Sequence, residues 1–345
     1  MQIKGDRLSA GEVRGFFDRR AAAVDGGAAD PRVGLRHLAA HGMLGAPELR
    51  DSFALIRCVA SSDLASAFSL WAHTMVLECL ATSVAPELLA HAARLRHATA
   101  WGSTAMAPAI KHLAGLGELP VSYRREGAEL VLDGRIPWAS NLFDEDVVLV
   151  LSARSATAGG EPVVLAVDGR HPAIQLGRPL PLLALAGTAS SSVELRGARV
   201  RADAVISSDF AGYMKSMKPR LLLLQAAYCL GLASAGAAAG AERLGRAAAA
   251  HRREHGILAE EITSLGQRAD ALVSALDQAG GVAVREVVEV RLRAAQAAQS
   301  AVQLELRLAG GVGFVATSPT ARRYREAAFL PVQTPTEGQL LSELG

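Results

Sequence analysis

Few side chains of this chain sit where their type and spacing could do chemistry. Trp138 and Ser140 stand two positions apart among strand-forming residues, so a pleated strand sets a flat apolar ring and a hydroxyl on one face. By type alone the pair also reads as a core aromatic and a strand-end hydroxyl. Arg252 and Arg253 read as a solvated basic stretch following a helix, and Gly310-Gly311 as a tight turn that lets main chain approach a neighbour closely. His112 and His255 are acid/base groups in principle, although a lone histidine is more often structural. Glu337 is a carboxylate near the C-terminus whose plain reading is a solvated side chain. Cys58, Cys79 and Cys229 are odd in number, widely spaced and set in apolar stretches, which suits buried free thiols in a reducing compartment. They predict neither disulfides nor a metal site.

The scaffold that must position these groups is 345 residues long, so two or three packed sub-domains with room to enclose a small molecule are expected. Half of the residues are hydrophobic and only 4% aromatic, an Ala- and Leu-rich mix that favours helices packed through small side chains and argues against an all-β protein. The 36 basic and 34 acidic residues are scattered, without the Lys/Arg stripe of a phosphate-backbone binder, so no nucleic acid partner is expected. The charged, amphipathic start lacks the apolar core of a secretory signal, and with the free thiols it predicts a cytoplasmic protein. Residues 221–241 are about long enough to cross a bilayer. Gln225, Tyr228 and Ser234 interrupt them, so the segment reads as the central helix of a bundle and no membrane span is expected.

Periodicity divides the chain into three. Amphipathic helices are expected over 11–23, 32–41, 47–61, 62–83 and 86–95, with Asp30-Pro31, Ala46-Pro47 and Ala85-Pro86 at their entries. Short β-branched runs at 130–132, 147–151, 163–167 and 192–195 alternate with Asp133-Gly134, Gly159-Gly160 and Asp168-Gly169 turn signals. No helix of crossover length separates them, which disfavours a doubly wound fold. Helices return over 219–250, 258–278 and 282–309, with a short fourth near the end. The expected class is α+β multidomain: an N-terminal helical domain (1–98), a central antiparallel β-barrel or sandwich (99–208) and a C-terminal four-helix bundle (209–345).

On three ordered segments the chain resembles the acyl-CoA dehydrogenases. LDGRIPWASNLFDEDVVLVLSAR, with Gly134, Trp138, Ser140 and Asn141, is similar to the family segment in which a glycine turn leads to Trp, a hydroxyl residue and Asn. TASSSVELRGARVRADAVI resembles the strand that returns the chain to the bundle, and LAGGVGFVATSPTARRYREA the glycine turn before the last helices. The resemblance implies FAD at the seam between sheet and bundle, with Trp138 against the ring and Ser140 as a hydrogen-bonding neighbour. WGSTAM occupies the place of the family's Thr-Glu-Pro segment, which implies that Trp101, Ser103 and Thr104 lie beside the cofactor, but Ala105 and Met106 replace Glu and Pro. The small-residue loop that follows has become Pro108-Ala109-Ile110-Lys111, a change that weakens the case for an ordinary CoA ester. AAHRREHG resembles the element that brings an Arg to a neighbouring subunit's FAD diphosphate. This implies such a role for Arg252, with His255 in place of an aromatic, Arg307 in place of a Gln, and Gly310-Gly311 close to the cofactor.

Acyl-CoA dehydrogenation needs a carboxylate within reach of the α-carbon. Counted without a gap from Tyr324-Arg325-Glu326, the family's base position falls on Thr334, and only a three-residue insertion would bring Glu337-Gly338 onto the family's Glu-Gly. A Thr hydroxyl is no general base at neutral pH without help. Three functions follow from the resemblance. One is an FAD-dependent oxidoreductase acting on an acyl-CoA, an acyl-carrier thioester or another small molecule, with an electron-transfer partner. A second is a monooxygenase of the same fold using FAD or FMN and a flavin reductase. The third is a non-catalytic subunit that pairs with an active homologue. A homodimer or homotetramer is expected for the first two and a hetero-oligomer for the third.

Overall fold

The structure, a computed structural model, describes residues 7–143, 146–245 and 251–345. Five helices come first: α1 (Ala10–Asp25), α2 (Arg32–Ala40), α3 (Leu49–Ala60), α4 (Leu64–Leu80) and α5 (Pro86–Arg96). Local chemistry fixes their ends. Ser9 and Glu12 form a reciprocal capping box on α1, Asp63 accepts the Ala65 N–H at 3.0 Å to open α4, and Pro86 occupies the first turn of α5.

The middle third holds β1 (Trp101–Ala105), a short helix α6 (Ala107–Leu113), β2 (Val121–Glu126), β3 (Glu129–Ala139), β4 (Val147–Ser155), β5 (Val163–Asp168), β6 (Ile174–Leu176), β7 (Ser191–Arg201) and β8 (Val205–Ser207). They form one sheet in the order β6-β7-β3-β2-β4-β5-β8, with β1 also beside β4. Most pairings are antiparallel as expected, but β1 and β2 both run parallel to β4, at its beginning and its end, so the sheet is mixed. The expected loop at 108–111 is helical, and α6 returns the chain from β1 toward β2. Strand β4 reads Val-Val-Leu-Val-Leu without polar interruption because both of its faces are covered. Val147, Leu149 and Leu151 belong to the main core, whereas Val148 and Val150 join a second cluster with Leu80, Leu95 and Met106.

The last third comprises α7 (Phe210–Ala241), α8 (Arg252–Asp277), α9 (Val284–Ala309), α10 (Pro319–Ala327) and α11 (Glu337–Leu344), with α9 packed against the other four. Two corrections apply here. Pro219, expected to open the long apolar helix, lies inside it, because Asp209 supplies the cap by accepting the Gly212 N–H at 2.9 Å. Helix α8 begins at Arg252, so the basic pair occupies its first turn and does not trail a helix; residues 246–250, expected to be helical, lie outside the described residues. The bilayer-length segment of α7 is 83% buried within the fold. Its small residues permit close crossing: a Cβ on Gly231 would stand 2.3 Å from the Arg57 carbonyl on α3, and one on Gly236 3.2 Å from α9 main chain. The cysteines are free, and burial pushes the Cys79 thiol up to about 12.

Candidate functional site

A cavity of about 500 Å³ opens where the sheet meets the helices. Its walls come from α4 (Phe68, Trp71), β1 and α6 (Thr104, Met106, Lys111), the end of β3 (Trp138, Ala139, Ser140), the 182–190 loop, the start of the apolar half of α7 (Leu221), and the turn after α10 (Phe329, Val332, Gln333, Thr334). Of the residues expected at a cofactor or substrate, Thr104, Trp138, Ser140 and Thr334 line this space. Trp138 is 44% exposed although it is large and apolar, as a residue awaiting a partner would be.

The strand end that carries Trp138 is not regular. The β3–β7 register shifts between Ile136 and Ala139, so the expected alternation is broken and Trp138, Ala139 and Ser140 all reach the cavity. Beyond it Asn141 adopts a left-handed conformation (φ 61°), one that Asn tolerates better than most residues. Its amide donates to the carbonyls of Ser69 on α4, at 2.8 Å, and of Gly102 on β1, at 3.0 Å, while its main-chain N–H donates to Thr188 at 2.7 Å. One residue therefore joins three walls. Ser140, Ser190 and Thr188 form a line of hydroxyls, 2.7 and 2.8 Å apart, that ends on the Leu185 carbonyl. Leu185 (φ 61°) and Ala189 (φ 44°) are also left-handed, which is costly for residues bearing a Cβ and concentrates backbone strain at the cavity.

Trp101 and Ser103 do not reach this space. Trp101 is fully buried, with Arg36 5.0 Å from its ring and Phe143 at its edge, and Ser103 donates to the Ser140 carbonyl at 2.5 Å. On β1 only alternate side chains face the seam, and Thr104 is the one that does.

No carboxylate lines the cavity among the described residues; its charged groups are Lys111 and Arg325, and Arg325 pairs with Asp25. Glu337 does not stand in for one. It opens α11 on another face and accepts from Gln296 at 3.0 Å, because Thr336, capping α11 with Gln339, turns the chain away from the cavity directly after Thr334. The turn bearing Thr334 is fixed from behind. Gln225 on α7 donates to the Thr334 carbonyl at 3.0 Å, Arg291 on α9 donates to Gln225 Oε1 at 2.9 Å and to Gln333 Oε1 at 3.3 Å, and the Tyr228 hydroxyl also meets Gln333 Oε1. In the sequence Gln225 shows only as an interruption of an apolar run. Arg291 has a clearer signal, since it falls on the apolar stripe of α9 formed by Val287, Val288, Leu292 and Ala295.

The remaining expected residues gather elsewhere, where α8 begins and α9 ends. Arg307 pairs with Glu254, whose carboxyl is held below the usual range chiefly by that contact. Arg252 donates to the carbonyls of Leu244 and Gly245, each at 3.2 Å, and the His255 ring meets the Ala237 carbonyl at 2.9 Å. Gly310 (φ 61°) ends α9 and Gly311 follows it. His112 is also apart from the cavity, on α6 beside the Gly117 carbonyl at 3.1 Å.

The cavity residues fit the ring half of a flavin: an exposed indole, an aromatic wall from Phe68 and Trp71, and hydroxyls at Thr104, Ser140 and Ser190. Arg252 and Arg307, expected at the cofactor, do not line that cavity.

No protein-family model matches the sequence, and no curated protein does. Solved structures do. A glutaryl-coenzyme A dehydrogenase in complex with glutaryl-CoA superposes with a TM-score of 0.86 at 17% identity, over 100% of this chain and 95% of that one. A glutaryl-CoA dehydrogenase from Mycobacterium smegmatis in complex with FADH2 gives 0.84 at 16%, over 97% and 92%. FkbI, described for biosynthesis of the methoxymalonyl extender unit of a polyketide immunosuppressant, gives 0.78 at 16%, over 98% of both chains. With its helical start, mixed central sheet and closing helices in the same order over the full length, the chain has the acyl-CoA dehydrogenase fold.

Proposed function

We propose that the protein is a flavin-dependent oxidoreductase that binds FAD in the cavity between sheet and bundle and acts there on an acyl thioester or a similar small molecule. The observation that carries this reading is the cavity itself, with Trp138, Thr104 and Ser140 on one wall and the Thr334 turn on another. Fold neighbours solved in complex with glutaryl-CoA and with FADH2 support it. Bound flavin supplies hydride acceptance or, when reduced, oxygen activation. The protein supplies an apolar enclosure, a hydroxyl line at the ring edge, and a turn braced by Gln225 and Arg291.

A second reading within this class is favoured by the wall's composition. Removing an α-proton requires a base, and among the described residues the cavity offers a Thr at the expected place with no carboxylate beside it. That favours oxygen-using chemistry, with a flavin reductase as the electron source, over α,β-desaturation. In either reading the corner holding Arg252 and Arg307 serves the diphosphate of a neighbouring subunit's flavin, so the working form is a dimer or tetramer. The test is anaerobic titration of FAD-loaded protein. Bleaching of the flavin by butyryl-CoA alone supports desaturation, and bleaching only by a reductase with NADH supports the oxygen-using reading. Protein that takes up no FAD sinks both.

A further inference from the structure

Three hydroxyls on the cavity wall have their hydrogens fixed by a single carbonyl. Thr188 Oγ1 stands 2.8 Å from the Leu185 carbonyl, Ser190 Oγ 2.8 Å from Thr188 Oγ1, and Ser140 Oγ 2.7 Å from Ser190 Oγ. Taken alone, either hydroxyl of a pair could donate to the other. The carbonyl removes that freedom, because it only accepts and each hydroxyl has one hydrogen. Thr188 therefore donates to Leu185, Ser190 to Thr188 and Ser140 to Ser190, and no hydrogen of the line is left over.

The turn holds that carbonyl in place. It also accepts the Thr188 main-chain N–H, at 2.9 Å, in a segment bounded by the left-handed residues Leu185 (φ 61°) and Ala189 (φ 44°). The line runs inward from Ser140, 8% exposed, to Ser190 at 3% and Thr188 at 1%, and all three residues line the cavity. A ligand group that reaches these oxygens meets lone pairs only. It is held well as a donor and poorly as an acceptor, since two acceptors facing each other leave both without a hydrogen. Flavin changes between these types: in the oxidised ring N5 is an acceptor, and two-electron reduction places a hydrogen on it.

We propose that the hydroxyl line makes the protein bind reduced flavin in preference to oxidised, with Ser190 and Thr188 as positioning residues that turn the Ser140 hydrogen away from the cavity. The inference rests on the flavin reading and adds to it the redox state that the wall favours. A flavin held this way accepts electrons more readily than free FAD and stays bound once reduced. The strained turn also gains a role. Its left-handed residues hold the Leu185 carbonyl against Thr188, which sets the direction of the whole line.

The test is the midpoint potential of FAD bound to the full chain, measured by spectroelectrochemical titration beside free FAD in the same buffer. Wild type is expected to bind reduced flavin about ten-fold more tightly than oxidised, which lifts the potential by about 30 mV for a two-electron couple. Ser190→Ala removes the acceptor of the Ser140 hydrogen, which then turns to the cavity, so the preference should fall by about ten-fold. Thr188→Val frees one hydrogen of the Ser140–Ser190 pair from the other end and should shift the potential in the same direction. Ser190→Thr keeps the hydroxyl and should stay near wild type. A general loss of stability weakens both redox states alike and leaves their ratio unmoved. A wild-type potential at or below that of free FAD, or a potential unchanged or raised in Ser190→Ala and Thr188→Val, overturns the proposal. Failure of wild type to load FAD is a separate outcome, seen in the absorbance before any titration, and counts against the flavin reading instead.

Discussion

His73 and Gly102 hold α4 and β1 together through an imidazole with only one tautomer available to it. Nδ1 accepts the Gly102 N–H at 3.2 Å and Nε2 donates to the Leu95 carbonyl at 3.0 Å, so the ring is neutral with its proton on Nε2. The approach is close enough that a Cβ on Gly102 would meet the His73 carbonyl at 3.1 Å. Because β1 carries Thr104, this contact sets one wall of the cavity.

Burial depresses the His73 pKa to about 4. The unfolded chain therefore binds this proton at higher pH than the folded one. Stability from the group is complete above about 6.5 and is lost as pH falls toward 4. Melting temperature should decline through that window in wild type and decline less in His73→Leu. That variant should also be less stable at pH 7 by about 1–3 kcal/mol, having orphaned a buried N–H and a carbonyl. A pH profile that is the same in both proteins would remove His73 as the cause.

Glu326 predicts the opposite slope. It is fully buried, and desolvation, opposed by Arg322 at 3.1 Å, raises its pKa to about 7. Here the folded chain holds the proton to higher pH, so the contribution is present below about 4.5 and fades as pH rises through 7. Glu326→Gln should flatten the loss of stability between about pH 4.5 and 7, measured by thermal denaturation; a slope as steep as that of wild type would count against it.

Trp138 is half-exposed at the mouth of the cavity, so its removal should spare the fold and strike the ligand. Trp138→Ala should weaken FAD retention by roughly ten-fold, equivalent to about 1.4 kcal/mol, with a melting temperature of the flavin-free protein close to that of wild type. Flavin absorbance after gel filtration decides the matter, and undiminished flavin would displace the ring from this wall.

Glu337 separates the two counts of the C-terminal segment. Since its carboxylate is engaged by Gln296 away from the cavity, Glu337→Gln should change flavin content and any turnover by less than about two-fold, well under the 10²–10⁴ expected for loss of a general base. A loss of that larger size would return it to the reacting centre.

What the sequence determined by itself were features written in neighbouring residues. The helix entry at Pro86, the strand run at 147–151 and the order of helices, sheet and helices all follow from periodicity and turn residues a few positions apart. Only tertiary structure decided the rest. The parallel placement of β1 and β2 against β4 depends on which edge each strand meets, and the register irregularity between Ile136 and Ala139 brings Ala139 to the cavity beside Trp138 and Ser140, which a period of two does not foresee. It also decided that the wall at Thr334 has no carboxylate among the described residues and that Arg291 lies buried behind it. Both depend on contacts between helices far apart in the chain, where packing fixes which polar group is enclosed and what is left to satisfy it.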